Sequence, residues 1–325
     1  EGSAQFTRRG CQVYRIHAQG LWLMRQVFAA YFGDREETEV EATGHPRNDL
    51  QRHQQTEPAV QFSQQDFHWR MISEFWQDAA MSVWLWIQFL LCPVVLFSLL
   101  WVTAPYGRHH RSGWGPGLPG RLAWVMMEIP ALLTITLLVL SSPAGRQMAA
   151  WLPLTFWIFH YSYRTFVFPA LMRPSEKAFP ALLVLFAIAF NVLNGYNNAA
   201  ALIAAGTHDA PWPSWHFVIG SVIFVLGFVT HFLADRTIRL LRKPGESGYR
   251  IPRGFLFDRV SSPHYLGEII QWCGWAVMTW SMAGLAFALF TICNLAPRAL
   301  SNHRWYRQQF PDYPTGRKAL LPGLI

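Results

Sequence analysis

Charge is scarce in this sequence. Asp, Glu, Lys and Arg make up 14% of its 325 residues, against ~25% in a soluble chain. No charged residue occurs from Ala79 to Thr103, from Ala178 to Thr207, from Ala210 to Ala234 or from Ile269 to Pro297. Runs beyond ~18 apolar residues read as membrane-spanning helices. A soluble single domain is excluded, as are a collagen and a disordered chain. Cysteine is sparse too. Cys11, Cys92, Cys273 and Cys293 have no paired spacing, and three lie in apolar runs. Neither a disulfide scaffold nor a zinc site is expected, no metal is implied, and these cysteines read as small packing residues. A usable dinucleotide fingerprint is also missing. Gly115-Pro116-Gly117-Leu118-Pro119-Gly120 fits the letters G-x-G-x-x-G, but two prolines occupy it and no strand precedes it. A phosphate loop needs a strand before it and a helix after, so this segment is expected to be a turn.

Aromatic residues, by contrast, are plentiful at 15%, with 16 Trp and 24 Phe. Seven segments are long enough for a ~30 Å hydrocarbon core: 80–103, 122–142, 148–170, 179–204, 215–234, 264–281 and 284–300. The last two form one apolar stretch, divided here at Ser281-Met282-Ala283-Gly284. Charge supports the division. Arg108, Arg111 and Arg121 follow the first segment, Arg173 and Lys177 the third, seven basic residues from Arg236 to Arg259 the fifth, and Arg298, Arg304, Arg307, Arg317 and Lys318 the seventh. Short loops on the opposite side hold only Arg146 and Asp209. An odd count puts nearly every basic loop on one face, which the positive-inside rule makes cytoplasmic together with the C-terminus. The expected class is therefore an all-α integral membrane protein of seven transmembrane helices. Its net charge of +8 marks cytoplasmic loops and lipid contact rather than nucleic acid.

Residues 1–78 differ from the rest, with 11 Gln, 11 acidic and 8 basic residues. They are expected to be a polar extension, mobile or interfacial, preceding a membrane domain over 79–325.

Glu128 lies inside the second span. An ionisable group there costs about 3 kcal/mol on insertion scales, so it should face the bundle interior and have a partner. It serves either packing specificity or chemistry. Low dielectric favours the protonated carboxyl, which can donate a hydrogen bond. The third span carries His160-Tyr161-Ser162-Tyr163-Arg164, with Tyr161 and Arg164 on one helix face. Arg164 either snorkels to headgroups or joins a catalytic pair. The basic stretch from Asp235 to Glu246, which includes Arg242, fits anionic lipid or a phosphate-rich ligand. Glu268 is a second carboxyl near the membrane, and His303, Arg304 and Tyr306 follow the last span.

Taken together, these residues form a recognisable pattern. Arg242-Lys243-Pro244-Gly245-Glu246 with Gly248-Tyr249-Arg250-Ile251-Pro252 and Leu256-Phe257 resembles the steroid 5α-reductase family. So do Tyr265-Leu266-Gly267-Glu268-Ile269-Ile270, Asp312-Tyr313-Pro314, Arg317-Lys318-Ala319-Leu320, Trp124 with Glu128-Ile129-Pro130, His160 to Phe166, and Tyr106-Gly107-Arg108. The similarity runs from about residue 104 to 325. The resemblance implies NADPH-dependent reduction of the C4–C5 double bond of a 3-oxo-Δ4-steroid. Glu128 and Tyr161 would then polarise the C3 carbonyl and Trp124 would border the sterol. Implied cofactor residues are Tyr106, Asp235, Arg242, Tyr249, His264, Glu268 and Tyr306, with Arg164, Arg173, Arg298 and Arg317 as cofactor or structural residues. The chain departs from the family at His264 and His231, where asparagine is usual, and at Leu182 and Asn294 in the steroid pocket. Alternatives with other chemistry or substrates are the same reduction of another lipophilic enone, a polyprenal, or of a long-chain enoyl thioester, and a membrane methyltransferase.

Overall fold

The computed structural model describes residues 83–173, 178–207, 213–242, 246 and 248–324; the polar extension 1–78 lies outside them. Each of the seven apolar segments is helical. We label them α1 (Val83–Trp101), α2 (Gly120–Ser141), α3 (Met148–Ser162), α4 (Ala181–Ala205), α5 (Trp215–Leu240), α6 (Pro263–Thr279) and α7 (Met282–Gln309). Five of these, α1, α2, α4, α5 and α7, are long and apolar enough to cross a membrane, which marks a multi-pass membrane protein. The expected count of seven is thus met for five. As a single α-helix α3 has 15 residues, because its path changes to a π turn over Tyr163–Val167 before a last α turn at Phe168–Leu171. Helix α6 has 17 residues, because Trp280 adopts φ 46° and ends it. The division between the last two helices therefore falls at Trp280-Ser281. Ser281 Oγ caps α7 by accepting from the Gly284 amide at 3.1 Å. Apolar side chains also line the outside: Leu90 on α1 is 65% exposed and Leu226 on α5 61%, as a lipid-facing surface requires.

The glycine-rich segment, expected to be a turn, bends over residues 112–116 and then pairs as a short strand. Gly117–Leu118 forms a two-residue strand, β1, antiparallel to β2 at Phe179–Pro180. Cys92 is buried, and Cys92, Cys273 and Cys293 are all free; Cys11 lies outside the described residues.

Helices α5 and α6 make the closest pairing, and small residues explain it. Gly220 and Gly227 on α5 and Gly267 and Gly274 on α6 sit seven residues apart on each helix. A Cβ on Gly220 would meet the Met278 backbone and one on Gly227 the Gln271 backbone; one on Gly267 would meet His231 and one on Gly274 Phe224. In lipid, helices gain little hydrophobic drive toward each other, so close backbone approach supplies the attraction. The pairing sets Glu268, next to Gly267, beside His231.

Aromatic rings fill the centre. Trp157 is fully buried, its ring 4.9 Å from Tyr161, 5.4 Å from Trp272, 5.0 Å from Trp275 and 5.5 Å from Phe287. Its indole N–H donates to the Ala131 carbonyl at 2.9 Å, tying α3 to α2. Beside this core runs a buried amide ladder. Gln88 Nε2 donates to Asn194 Oδ1 at 2.8 Å, and Asn197 Nδ2 to Gln88 Oε1 at 2.7 Å. Asn198 Nδ2 donates to Asn194 Oδ1 at 3.0 Å, and Trp275 Nε1 to Asn198 Oδ1 at 2.7 Å. Buried amides left unbonded would cost several kcal/mol in hydrocarbon; here α1, α4 and α6 satisfy most of one another's amide groups, leaving Asn194 Nδ2 and Asn197 Oδ1 without a partner among the described residues.

Candidate active site

The π turn decides where Arg164 goes. Such single-turn insertions often mark functional sites. Here Arg164 is only 8% exposed, so the snorkelling alternative does not hold. Its Nη2 donates to Glu128 Oε1 at 3.1 Å, and its guanidinium carbon lies 4.7 Å from the ring centres of both Trp124 and Phe168. The partner that a carboxyl inside a span requires is thus a guanidinium from the neighbouring helical segment. Arg164 Nη1 is 4.0 Å from Asp235 Oδ2 on α5. Tyr161 is buried one turn earlier, within electrostatic reach of Glu128, Glu268 and Arg164. Trp124, Glu128, Tyr161 and Arg164 are accordingly brought together by α2 and α3.

Asp235 and Glu268 continue the cluster through His231. Its Nε2 lies 3.4 Å from Asp235 Oδ2 and its Nδ1 3.8 Å from Glu268 Oε2. His264 is within electrostatic reach of Asp235, His231, Arg108 and Arg164, and so joins this group to the next.

The second group surrounds Arg108. Its guanidinium carbon is 5.3 Å from the Tyr249 ring centre, 4.8 Å from Trp305 and 4.7 Å from Tyr306. Arg298 Nη1 donates to the Tyr106 hydroxyl at 2.9 Å. Tyr265 lies within electrostatic reach of Tyr106, Arg298 and Arg108. Burial and the adjacent Arg108 charge push the His109 imidazole below its ordinary range. Arg242 Nη1 donates to the Gly248 carbonyl at 2.9 Å, 5.9 Å from the Tyr249 ring. Sequence reasoning placed Arg108 in a basic loop and in the family motif Tyr106-Gly107-Arg108; what it missed was the cage of three rings, which come from two distant segments.

Arg317 lies one ring beyond the Arg108 cage, because the Tyr313 ring it faces stacks on Tyr306 with centres 5.4 Å apart. Arg317 is 3% exposed and donates to the Pro252 carbonyl at 3.1 Å and the Tyr313 hydroxyl at 3.5 Å. It belongs to a clip in which Val260 pairs with Lys318 and Ser261 Oγ shares 2.6 Å hydrogen bonds with His303 and Tyr313. Arg173 lies at the end of the third helical segment, one residue past the Met172 carbonyl that Arg121 grips at 2.6 Å. A groove of about 540 Å³ lined by Phe159, Ser162, Tyr163, Phe166, Val167, Phe228 and Phe232 includes neither Glu128 nor Tyr161. It is a surface trough between α5 and α3 with its π turn.

Residues 177–325 match the family model described as 3-oxo-5-alpha-steroid 4-dehydrogenase. The chain is 42% identical over 241 residues to Steroid 5-alpha-reductase DET2 of Arabidopsis thaliana, covering 71% of this chain and 91% of that one. The chain belongs to the 3-oxo-5-alpha-steroid 4-dehydrogenase family. It is 40% identical over 238 residues to 3-oxo-5-alpha-steroid 4-dehydrogenase 1 of Bos taurus, 71% of this chain and 92% of that protein. Against the Homo sapiens protein of the same name, identity is 38% over 223 residues, 68% of this chain and 86% of the relative. Family membership makes the chain an oxidoreductase of steroid metabolism.

A dinucleotide fits the two groups together on chemical grounds. Arg108 Nη1, Arg298 Nε, His264 Nδ1, His231 Nε2 and Asp235 Oδ2 are buried without an aligned hydrogen-bond partner. Buried polar atoms are ordinarily satisfied, and this set offers guanidinium donors for phosphate with a carboxylate acceptor for hydroxyl or amide groups.

Proposed function

We propose that this chain reduces the C4–C5 double bond of a 3-oxo-Δ4-steroid with NADPH, at the cluster around Glu128. The observation that carries this reading is the convergence of Trp124, Glu128, Tyr161 and Arg164 in one nearly buried site, in a chain of this family. Conjugate reduction puts negative charge on the C3 oxygen, and donors fixed there in a dry site stabilise it without reorganisation. Glu128 and Tyr161 are the proposed donors. Arg164 occupies Oε1 of Glu128, which leaves the second carboxyl oxygen to meet a carbonyl and fixes the rotamer. Trp124, held under the guanidinium, is the proposed wall against the sterol.

When bound, NADPH supplies the hydride that C5 receives. Tyr106, Arg298, Tyr249, Tyr306 and Arg242 are the proposed holders of its charged half. Asp235, Glu268 and His264 are the proposed polar contacts nearer Glu128, and Arg164 links the two parts. Arg173 and Arg317 are proposed to act from further out, Arg317 by fixing the 250–260 loop against the tail. The remaining structural readings stand as part of this proposal: seven spans, a reductase domain over 79–325, and a cofactor face on the cytoplasmic side with the C-terminus.

The test is direct. Purified protein in lipid, given NADPH and a 3-oxo-Δ4-steroid, should consume NADPH and yield the 5α-reduced steroid. Absence of both overturns the reading.

A further inference from the structure

The trough between α5 and the π turn takes no part in the chemistry proposed above. Its walls are rings. Phe228 and Phe232 of α5 stack with centres 6.2 Å apart, and Phe159 meets Phe228 at 4.8 Å. Tyr163 meets Phe228 at 5.7 Å and Phe232 at 5.6 Å, edge to face. Phe166 and Val167 of the π turn complete the lining and are exposed.

An apolar hollow on a lipid-facing surface names no ligand by itself. Polar groups beside this one do. Tyr163 is 8% exposed, yet its buried hydroxyl has no hydrogen-bond partner among the described residues. Asp235, within electrostatic reach of Tyr163, faces Arg164 and His231 instead. The guanidinium of Arg239 also lies within reach of the hydroxyl, but its Nη1 is itself buried without an aligned partner. Arg239 as a whole is only partly buried, so its head can meet both the hydroxyl and a ligand outside. Helical periodicity puts Arg239 on the stripe of Phe228 and Phe232, about 10 Å beyond Phe232 along the axis. The rings thus lead along α5 to a cation and a phenol, at the helix end where Arg236 and Arg242 add positive charge.

A guanidinium and a phenol O–H both donate, and one anion can satisfy the two together. Phosphate suits this pair, because charge-assisted bonds from arginine are short and strong. A 3-oxo-steroid offers only an uncharged carbonyl there. Free phosphate would leave the rings uncovered, whereas an acyl chain covers them. The volume of about 540 Å³ falls in the ~300–1,000 Å³ range of small-molecule sites.

We propose that this trough binds one anionic phospholipid, with an acyl chain on Phe228 and Phe232 and the phosphate held by Arg239 and the Tyr163 hydroxyl. The site stands apart from the NADPH reading and does not depend on it. The π turn that presents Tyr163 to the trough also presents Arg164 to Glu128. A lipid seated there braces the segment that orients the proposed acid.

Native mass spectrometry of the full chain tests the site. Delipidated protein in detergent is given equal amounts of dioleoylphosphatidylglycerol and dioleoylphosphatidylcholine. One phosphatidylglycerol per chain should be retained, preferred about fivefold because the choline cation opposes that of arginine. Arg239→Gln should lower its retention about tenfold, the scale of a hydrogen bond to a charged group, and Tyr163→Phe, which keeps the ring, about threefold or more. Val167→Trp fills the trough from its exposed side and should lower retention of both lipids about tenfold by overpacking. Arg236→Gln removes the same charge from the same helix end and should cost clearly less than Arg239→Gln. Equal loss in the two arginine variants means diffuse attraction to a basic surface and overturns the site. Unchanged retention in Val167→Trp overturns the placement of the chain. Release of the phospholipid by an equimolar 3-oxo-Δ4-steroid makes the trough a steroid path and overturns the proposal, as does retention of no lipid at all.

Discussion

Arg164 of the π turn donates to Glu128 of the second helix at 3.1 Å. Both side chains are about nine-tenths buried, at 10% and 13% exposure, and the same guanidinium stacks on Trp124. One arginine thus positions the proposed acid, the proposed sterol wall and, through Asp235, the cofactor face.

Replacing the acid tests its part in that arrangement. Glu128→Gln keeps the shape and a hydrogen-bond donor but removes the carboxyl. Turnover should fall by about 10²-fold or more, approaching the scale of losing a donor to a developing oxyanion, because the amide N–H is a far weaker acid than the carboxyl O–H it replaces. The Kd for NADPH should change little. A matching rise in Kd, measured by fluorescence titration, would move Glu128 to a cofactor or structural role.

Much of this was legible in the chain, and the exceptions have physical causes. Apolar runs located all seven helices, because a stretch without charge has few alternatives in lipid. Glu128 and Tyr161 stood out as polar groups in such runs. Arg164 did not announce its partner, because the π turn shifts the helix register after Ser162 and a 3.6-residue period cannot anticipate it. The break at Trp280 was placed a residue or more late, since a tryptophan at positive φ gives no turn signal of the glycine kind. The amide ladder was invisible for a different reason: Gln88 and Asn194 are 106 residues apart, and pairing at that range has no local signature.

Arg242 separates phosphate recognition from general basicity. It bonds the Gly248 carbonyl and faces the Tyr249 ring, so it is held at the proposed cofactor entrance. Arg242→Ala should raise the Kd for NADPH about tenfold or more while altering that for NADH much less, in line with loss of a charge-assisted phosphate contact. Equal weakening of the two in parallel titrations would argue against contact with the 2′-phosphate.

The amide ladder should contribute to stability rather than chemistry. Asn198→Ala strands the Trp275 indole N–H, now bonded at 2.7 Å, and frees an Asn194 acceptor. A buried donor left unmade costs about 1–3 kcal/mol. Thermal unfolding in detergent should shift downward accordingly. Asn198→Gln, which retains an amide oxygen, should recover part of the loss; if the alanine variant melts unchanged, the ladder has no such role.

Gly227 offers a case in which two effects oppose each other and magnitude decides. Helix propensity alone favours alanine over glycine by about 1 kcal/mol. A methyl at this position, however, would meet the Gln271 backbone nitrogen, and backbone cannot rotate aside as a side chain can. Overpacking of this kind costs about 1–3 kcal/mol or more, so up to about 2 kcal/mol remains after the helix gain and Gly227→Ala should lower Tm by up to roughly 8 °C. Spreading α5 from α6 should also part His231 from Glu268 and weaken NADPH binding. Gly316→Ala, with nothing within 4 Å of the new Cβ, should leave both quantities unchanged. If Gly227→Ala proved as stable as the parent, the close approach of these two helices could not be what holds the carboxylates of the cofactor face together.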